Sequence, residues 1–385
     1  MEKETTIILQ KTDLDNSKSK TKIYLIYAIF IIFIFNITFI LIDIWINNKH
    51  LHNYKKEINN KLNHFENILK GNFFSENISF IEKNELNVEE FNENEKKYYE
   101  NLQKNFCLNL SSFKIQEIES MIKEVEINYN NLAFNIFLYK ENDLISTTIQ
   151  NNGVFNANVT NNFISSLKYF SKKNNLSKED VYFIDIGANI GWYSYYLGNL
   201  GYQILSFEPS KYNNYILKKN YCLNKDASIT IINKSINIQK KKCFLGHNIS
   251  NIGDSILICN KNTSIYNKNY FIEEINLTKL SNYISFLSNK NVALISLNLD
   301  GSEEKAIISG QALVIKYHVP FIYMRFIPKL LELHSTNIKL FLEFFEINGY
   351  KFSLVDFISK IYISIDELIK INETNLYIIY SNFLM

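Results

Sequence analysis

The chain has 385 residues, and its hydrophobic content of 46% excludes a wholly disordered protein. The formal net charge is +2 with lysines and acids interspersed, so the composition indicates no basic face for nucleic acid and we expect no nucleic-acid partner. No CxxC pair occurs among Cys107, Cys222, Cys243 and Cys259, so we expect no zinc site and no dependence on a metal. We expect buried free thiols, with a disulfide in an oxidising lumen as the alternative.

An apolar run near the start predicts a membrane anchor. From Ile23 to Ile42 no residue is charged, and twenty helical residues cross about 30 Å, the thickness of a hydrocarbon core. We predict a tail at 1–22 and one transmembrane helix at 23–46, because the run is too long for a cleaved signal peptide. A short tail before a large domain favours a secretory-pathway membrane with the domain in the lumen. Nine N-x-S/T sequons after the span, such as that at Asn158, give weak support.

Residues 47–129 predict a stalk or linker that is partly helical. Apolar residues recur at spacings of three and four in two stretches, which is typical of amphipathic helices. The first stretch contains Ile58, Leu62, Phe65 and Leu69, and the second contains Ile115, Ile118, Ile122 and Val125. We expect these helices to pack as a stalk or as a cap on the domain.

A glycine cluster follows at the middle of the chain. "VYFIDI" (181–186) predicts a strand buried on both faces, and "GANIG" (187–191) then leads into a helix that begins near Trp192. "YQILSFE" predicts a second strand that ends with an acid, Glu208. A strand, a glycine turn, a helix and a strand with a terminal acid are typical of the nucleotide-binding half of a doubly wound α/β sheet.

Individual residues of this motif favour one kind of nucleotide. Gly187 permits a tight turn, Gly191 permits close approach of the helix to the strand or ligand, and Glu208 can accept two bonds from a ribose diol. A dinucleotide fold needs a glycine where Asn189 stands, so an NAD-linked oxidoreductase is a disfavoured alternative. S-adenosylmethionine has no pyrophosphate and suits the position better.

Longer motifs carry a resemblance to one family. "FIDIGANIGWYSYYLGNLGYQILSFEPS" resembles the first and second cofactor motifs of the FkbM family of SAM-dependent methyltransferases. "ISLNLDGSEEKAIISG" (295–310) occupies the place of the family's "lKiDvEGxExxvLxG". "NGYKF" at Asn348 and "LYIIYSN" at Leu376 fit its final hairpin, and the similarity covers roughly residues 130–382.

This resemblance implies a domain at 130–385 with the Rossmann-like fold of class I SAM-dependent methyltransferases. That fold is a mostly parallel, doubly wound α/β sheet with a C-terminal antiparallel hairpin. The resemblance also implies S-adenosyl-L-methionine as the cofactor, held by Asp185, Gly187, Asn189, Gly191 and Glu208. The methyl acceptor would be a hydroxyl on a glycan, a lipid headgroup or a small molecule. Fold analogy does not identify which of these three kinds of acceptor is methylated.

The family's "KiDvEG" is altered here, and three candidate catalytic residues follow from it. Ser296, Asn298 and Asp300 alternate, so we expect them on one side of the fourth strand at its carboxyl end. Asn298 cannot take a proton as a carboxylate can, so Asp300 is the leading candidate base. The alternative is a non-catalytic SAM-fold module that acts as a membrane-tethered scaffold.

Other polar residues carry less functional weight. Arg325 is the only arginine, and it could bind an anionic substrate, pair with Asp300 or be an ordinary structural arginine. His247, His318 and His334 occur in no pattern of nucleophile and base, so we expect no catalytic role for them.

Overall fold

The computed structural model describes residues 90–111, 116–238, 243–248, 251–259 and 270–385. All of them belong to one compact unit, Glu85–Met385. The predicted tail, the predicted transmembrane helix at 23–46 and the stripe from Ile58 to Leu69 lie outside the described residues. Within the described ranges, no helix is both long and apolar enough to cross a membrane.

The elements are named here in chain order. The first part contains α1 (Glu93–Leu108), α2 (Gln116–Met121), β1 (Ile122–Tyr129), β2 (Leu132–Tyr139), α3 (Leu144–Asn152) and α4 (Ala157–Asn174). The middle contains β3 (Val181–Ile186), α5 (Trp192–Asn199), β4 (Gln203–Phe207), α6 (Lys211–Leu223), β5 (Ile229–Ile232), β6 (Ser235–Ile236), β7 (Cys243–Asn248), β8 (Asn251–Ile258), β9 (Tyr270–Ile275) and β10 (Leu277–Thr278). The last part contains α7 (Ile284–Leu287), β11 (Asn291–Leu297), α8 (Glu303–Ser309), α9 (Ala312–Ile315), β12 (Phe321–Phe326), α10 (Pro328–Leu333), α11 (Ile338–Ile347), β13 (Tyr350–Ser353), α12 (Ile365–Leu368) and β14 (Thr374–Tyr380).

Seven strands form the central sheet in the order β13-β14-β12-β11-β3-β4-β5. Strands β12, β11, β3, β4 and β5 run parallel, and β14 is antiparallel to both β12 and β13. The predicted fold class, a mostly parallel α/β sheet with a C-terminal antiparallel pair, is confirmed. The strand order reverses on the two sides of β3, so the carboxyl ends of β3 and β11 meet at a switch point, where such sheets bind ligands.

The central strand β3 is buried on both faces, as its continuous apolar run predicts. Val181 and Phe183 belong to one apolar cluster, whereas Ile184 and Ile186 belong to the cluster on the opposite face. This division follows from the alternation of side chains along a strand. The two clusters pack the faces of the sheet against its helices. The loops that follow the strands then form the carboxyl edge of the sheet.

The described residues upstream of 130, from residue 90 onward, belong to the domain rather than to a stalk. Helix α1 lies along the edge strand β5, where the Gln103 side chain donates to the Ile229 carbonyl at 2.9 Å. The same side chain accepts from the Ile231 N–H at 2.8 Å, so it pairs with backbone groups that an edge strand leaves open. The predicted domain boundary at residue 130 is therefore corrected, because the domain includes α1.

The predicted helix through Ile122 and Val125 is also corrected. Helix α2 ends at Met121, and residues 122–129 form β1, which pairs antiparallel with β2 along its whole length. In "IKEVEINY" Ile122 and Ile127 are buried and charged residues lie between them. Pairing with the apolar strand β2 outweighs the helical spacing, since a strand gains its stability from its neighbour.

All four cysteines form disulfides, Cys107 with Cys222 and Cys243 with Cys259. The expectation of buried free thiols is therefore wrong, and the alternative of a disulfide holds. The first bridge joins the end of α1 to α6 across a sequence separation of 115 residues. Closing so long a loop restricts the unfolded chain and so stabilises the fold.

Candidate functional site

A cavity of about 480 Å³ opens where the loops after β3 and β11 meet. Its volume lies within the range of small-molecule pockets, about 300–1,000 Å³. Among the eight predicted site residues, five line the cavity: Gly187, Asn189, Glu208, Asn298 and Asp300. The other three, Asp185, Gly191 and Ser296, are buried and do not line it.

The glycine turn is shaped by contact with the loop after β11. Gly187 has a φ of 83°, a left-handed conformation that favours glycine. A Cβ at this position would collide with the backbone carbonyl of Asn298. The two loops at the sheet edge therefore touch through their backbones, and only glycine permits that contact.

Gly191 permits close packing of α5 against α6. Its φ is 93°, and an added Cβ would lie 2.8 Å from the Tyr195 ring and would collide with Leu217 of α6. Gly191 therefore serves the packing of α5 against α6 rather than contact with a ligand. Between the glycines, Asn189 has a φ of 54°, which asparagine tolerates better than most residues.

Glu208 follows β4 and holds the glycine turn in place. Its Oε2 accepts a bond from the Asn189 backbone N–H at 2.8 Å, and its Oε1 accepts one from the Ser210 N–H at 2.9 Å. An ionised carboxylate accepts about four bonds, so the group can accept further bonds from the cavity side. Burial raises the pKa of this carboxyl to about 7, against the opposing effect of the two N–H donors.

Asp185 supports the site from behind the lining. Its Oδ2 accepts a bond from the Ser194 hydroxyl of α5 at 2.6 Å, and that hydroxyl also lies 2.7 Å from Ser206 Oγ of β4. Burial raises the pKa of the Asp185 carboxyl to about 7. Asp185 therefore ties β3, β4 and α5 together beneath the turn.

The predicted alternation from Ser296 to Asp300 is corrected by the structure. Strand β11 ends at Leu297, and Asp300 has a φ of 47° in the loop that follows. Ser296 is buried within the sheet, whereas Asn298 and Asp300 line the cavity. A strand rule cannot be extended past the end of its strand, so only two of the three candidates reach the cavity.

Glu303, which the sequence reasoning missed, shapes this loop. Its carboxylate accepts bonds from the backbone N–H groups of Leu299 and Gly301, each at 3.0 Å. The side chain is buried, and this burial raises its pKa to about 7. These two hydrogen bonds fix the loop that carries Asn298 and Asp300. The one feature of the sequence that points to Glu303 is that it is an acid in the first turn of a helix that follows a glycine.

Two buried polar atoms at this edge have no hydrogen-bond partner among the described residues. They are Oδ1 of Asn298 and Oγ of Ser302, and both residues line the cavity. Leaving such an atom unpaired costs about 1–3 kcal/mol, which an ordered water or a small shift of the loop relieves. Each of the two atoms exposes less than 1 Å² of surface, so these atoms belong to the interior of the loop and do not identify a ligand.

Arg325 lies between two acids at the cavity. Its Nη1 is 3.6 Å from Asp300 Oδ1, and its Nε and Nη2 donate to Glu373 Oε1 at 3.0 and 2.8 Å. The structure thus shows the pairing with Asp300 that was one of the three roles considered for Arg325. Glu373, immediately before β14, is a second residue that the sequence reasoning missed.

The three histidines do not line the cavity. His247 of β7 is buried and its Nε2 lies 3.1 Å from Glu273 Oε2, while the His318 ring stacks on Tyr380 with centroids 4.4 Å apart. Burial lowers the pKa of His334 to about 4. In the part of the chain that the structure describes, no group of three or more His, Cys, Asp or Glu side chains is placed to hold a metal ion.

Comparisons with known proteins give solved structures only, since no family model and no curated protein matches the chain. The precorrin-6y C5,15-methyltransferase of Geobacter metallireducens is 14% identical over 56% of this chain and 86% of its own, with a TM-score of 0.29. Magnesium protoporphyrin IX methyltransferase (ChlM) of Synechocystis, with bound SAM, is 10% identical over 62% of this chain and 84% of its own, with a TM-score of 0.31. Monomeric WbdD is 8% identical over 62% of this chain, with a TM-score of 0.33. This chain spans 46% of WbdD.

Two of the matching structures contain the cofactor, ChlM with bound SAM and the TYW2 protein of M. jannaschii with AdoMet. TM-scores near 0.3 are too low to carry an argument about the activity of this chain. The strand order, the glycine turn and the cavity at the switch point describe a ligand site at the carboxyl edge of the sheet.

Proposed function

We propose that the chain is an S-adenosylmethionine-dependent methyltransferase that methylates a hydroxyl oxygen of a glycan, a lipid headgroup or a small molecule. One observation carries the proposal: a cavity at the switch point of the sheet is lined by the glycine turn, by Glu208 and by Asp300. Pockets at such switch points are the usual ligand sites of doubly wound sheets.

Membership of the FkbM family is part of the proposal. It is supported by the motif at residues 183–210, which supplies the glycine turn and Glu208. A second motif at residues 295–310 supplies Asn298 and Asp300. The two motifs are distant in sequence, yet their loops touch at the cavity.

The residues present fit the proposed chemistry. S-adenosylmethionine, when bound, supplies a methyl group on a sulfonium that leaves without the help of an acid. Gly187, Asn189 and Glu208 would hold the cofactor, with Glu208 accepting hydroxyl donors. Asp300 would take the proton of the acceptor hydroxyl, and the Arg325 guanidinium, 3.6 Å away, orients the Asp300 carboxylate.

A non-catalytic SAM-fold module, tethered to a membrane as a scaffold, is the second candidate. It is favoured by Asn298, which stands where the family carries an acid and cannot accept a proton as a carboxylate does. Calorimetry with S-adenosylmethionine followed by a transfer assay separates the two. Binding with transfer supports the enzyme, binding without transfer to any acceptor supports the module, and absence of binding contradicts both.

Replacing Glu208 by glutamine is expected to weaken the binding of S-adenosylhomocysteine about tenfold or more, because a charged acceptor of ligand hydroxyls is lost. Calorimetric titration of the full-length protein measures the effect. The ribose hydroxyls donate to the ionised form of Glu208, whose pKa is about 7. The affinity of the wild-type protein for S-adenosylhomocysteine should therefore be highest above pH 7 and fall below it. The variant should lose this pH dependence.

The matched control is Glu304→Gln. Glu304 is also a buried carboxyl, but it accepts a bond from the Thr336 hydroxyl at 2.7 Å and does not line the cavity. Its replacement should leave affinity within about twofold of wild type, as expected for a site without shared partners. An analogue of S-adenosylhomocysteine without ribose hydroxyls should bind wild type and Glu208→Gln equally. Unequal binding of that analogue would show that Glu208 does not recognise the ribose.

We also propose the architecture of a single-pass membrane protein, with a tail at 1–22, a transmembrane helix at 23–46 and the catalytic domain in a secretory-pathway lumen. The apolar run from Ile23 to Ile42 supports the anchor. The two disulfides support an oxidising compartment for the domain. Asn175, Asn276 and Asn372 are exposed sequon asparagines that a lumenal domain would offer for glycosylation.

Treatment with a peptide N-glycosidase is therefore expected to increase the electrophoretic mobility of the protein isolated from a eukaryotic host. Asn372→Gln removes one exposed sequon and should reduce the shift by one glycan if that site is used. A protein whose mobility is unchanged by the enzyme, and whose cysteines react with thiol reagents without prior reduction, would contradict the lumenal location.

A further inference from the structure

The charges around the cavity discriminate between kinds of acceptor. Among the described residues that line it, the charged ones are four acids and a single cation: Asp143, Glu208, Asp300, Glu373 and Arg325. Two of the acids already contact the cation, at 3.6 and 2.8 Å. Among these described residues, an acceptor that carries a phosphate or carboxylate would meet an excess of acids and a cation that is already paired, so like charges would oppose its binding.

The uncharged polar groups of the cavity suit hydroxyls. Asn156, Asn298 and Asn375 bring amide groups to its lining. Asn375 accepts a bond from the Tyr323 hydroxyl at 2.8 Å, an arrangement that fixes its amide group. A hydroxyl both donates and accepts, so a ligand with several hydroxyls can bond to the oxygen and to the nitrogen of such amide groups.

Aromatic rings line the same cavity. Phe155 is half-buried, and its ring centroid lies 6.1 Å from that of Tyr193. The Tyr193 ring is itself held by Phe163, with centroids 4.8 Å apart. A fixed, flat apolar surface beside hydroxyl-binding groups matches a pyranose, which presents C–H groups on its face and hydroxyls around its edge.

We propose that the acceptor is a non-ionic saccharide, bound by its hydroxyls at Asn298, Asn375 and the Asp300–Arg325 pair and by its carbon face at Phe155. This inference rests on the proposed function and narrows its acceptor to one class. It excludes acidic headgroups and acidic sugars as the preferred acceptors. Neutral sugar residues of a glycan or glycolipid share this chemistry.

The test measures binding rather than transfer. The full-length protein, prepared without glycoside detergents and saturated with S-adenosylhomocysteine, is titrated calorimetrically with methyl glycosides of neutral hexoses. The matched hexuronates and hexose 6-phosphates form the second panel. We expect neutral glycosides to bind and their anionic counterparts to bind about tenfold more weakly or not at all. Equal or tighter binding of the anionic members would overturn the proposal.

Two variants test the parts of the surface separately. Phe155→Leu keeps an apolar side chain but removes the flat ring, and it should weaken neutral glycosides about tenfold while leaving S-adenosylhomocysteine affinity unchanged. Tyr98→Leu is the control, because that ring is 60% exposed on α1 and does not line the cavity. Glu373→Gln removes one acid and should narrow the preference for neutral over anionic glycosides about threefold or more. Unchanged glycoside affinity in Phe155→Leu would contradict the proposal.

The titration also separates the two levels of inference. If S-adenosylhomocysteine binds but no neutral glycoside does, the saccharide proposal fails and the cofactor assignment stands. If S-adenosylhomocysteine itself does not bind, the proposed function fails and the saccharide proposal fails with it. If the neutral glycosides are methylated after S-adenosylmethionine is supplied, the result supports both the proposed methyltransferase function and the saccharide acceptor.

Discussion

Replacing Gly187 by alanine is expected to reduce affinity for S-adenosylmethionine about a hundredfold or more and to lower the free energy of unfolding by about 2–5 kcal/mol. Two effects add in this variant. Alanine would have to adopt a φ of 83°, and its Cβ would collide with the Asn298 carbonyl. The collision separates the loops that together form the cavity. Calorimetric titration and denaturant unfolding of the full-length protein measure the two losses.

Gly153→Ala separates the collision from the backbone strain. Gly153 ends α3 with a φ of 71°, but a Cβ there would meet nothing within 4 Å. This control should lose only about 1–2 kcal/mol of stability, the cost of a left-handed alanine, and should keep its cofactor affinity. If both variants lost stability and affinity equally, contact between the two loops would not be what shapes the site.

The glycine turn could be predicted because its cause lies within a short stretch of chain. An apolar run predicts the buried strand, and the glycines that follow predict left-handed backbone. Gly187 and Glu208 then lie at the cavity because the carboxyl ends of neighbouring parallel strands share one edge of the sheet. These inferences need the order of the strands but no knowledge of distant side chains.

The other side of the cavity depends on contacts that the sequence does not show. Strand β11 ends at Leu297 because the Glu303 carboxylate holds the following backbone in a turn. Glu373 reaches Arg325 because β14 pairs with β12 in antiparallel register, 48 residues further along the chain. Neither the turn nor the register can be predicted from the periodicity of the sequence. Because the strand ends at Leu297, the predicted alternation from Ser296 to Asp300 was wrong.

The N-terminal boundary failed for a related reason. Helix α1 (Glu93–Leu108) lies between the two amphipathic stretches that the sequence predicted, and no helix was predicted there. Its attachment depends on Gln103, whose side chain pairs with the edge strand β5, and on the bridge from Cys107 to Cys222. A polar residue and a cysteine in a helix have many roles, so the docking becomes visible only in three dimensions.

Asp300→Asn is expected to lower the rate of methyl transfer about a hundredfold or more while leaving S-adenosylmethionine affinity within about twofold of wild type. Asparagine suits the test because it tolerates the left-handed φ of 47° that Asp300 adopts, so the loop should keep its shape. The amide cannot take the proton of the acceptor hydroxyl. Single-turnover transfer to a bound acceptor, followed from acid to alkaline pH, measures the effect.

The pH profile distinguishes a base from a residue that only positions its neighbours. S-adenosylmethionine is kept saturating at every pH, so that protonation of Glu208 does not limit the rate. If Asp300 is the base, the wild-type rate then still falls in acid, and Asp300→Asn loses this limb of the profile. Asp366→Asn, which removes a surface carboxylate with 80% of its side chain exposed, should leave both rate and profile unchanged. Glu373→Gln keeps Asp300 but removes the other acid that holds Arg325, so it should retain the acid limb even if its rate is lower. An Asp300→Asn protein with the wild-type rate and profile would mean that proximity alone drives the transfer, since aligned reactants can supply about 7–11 kcal/mol of a barrier without a base.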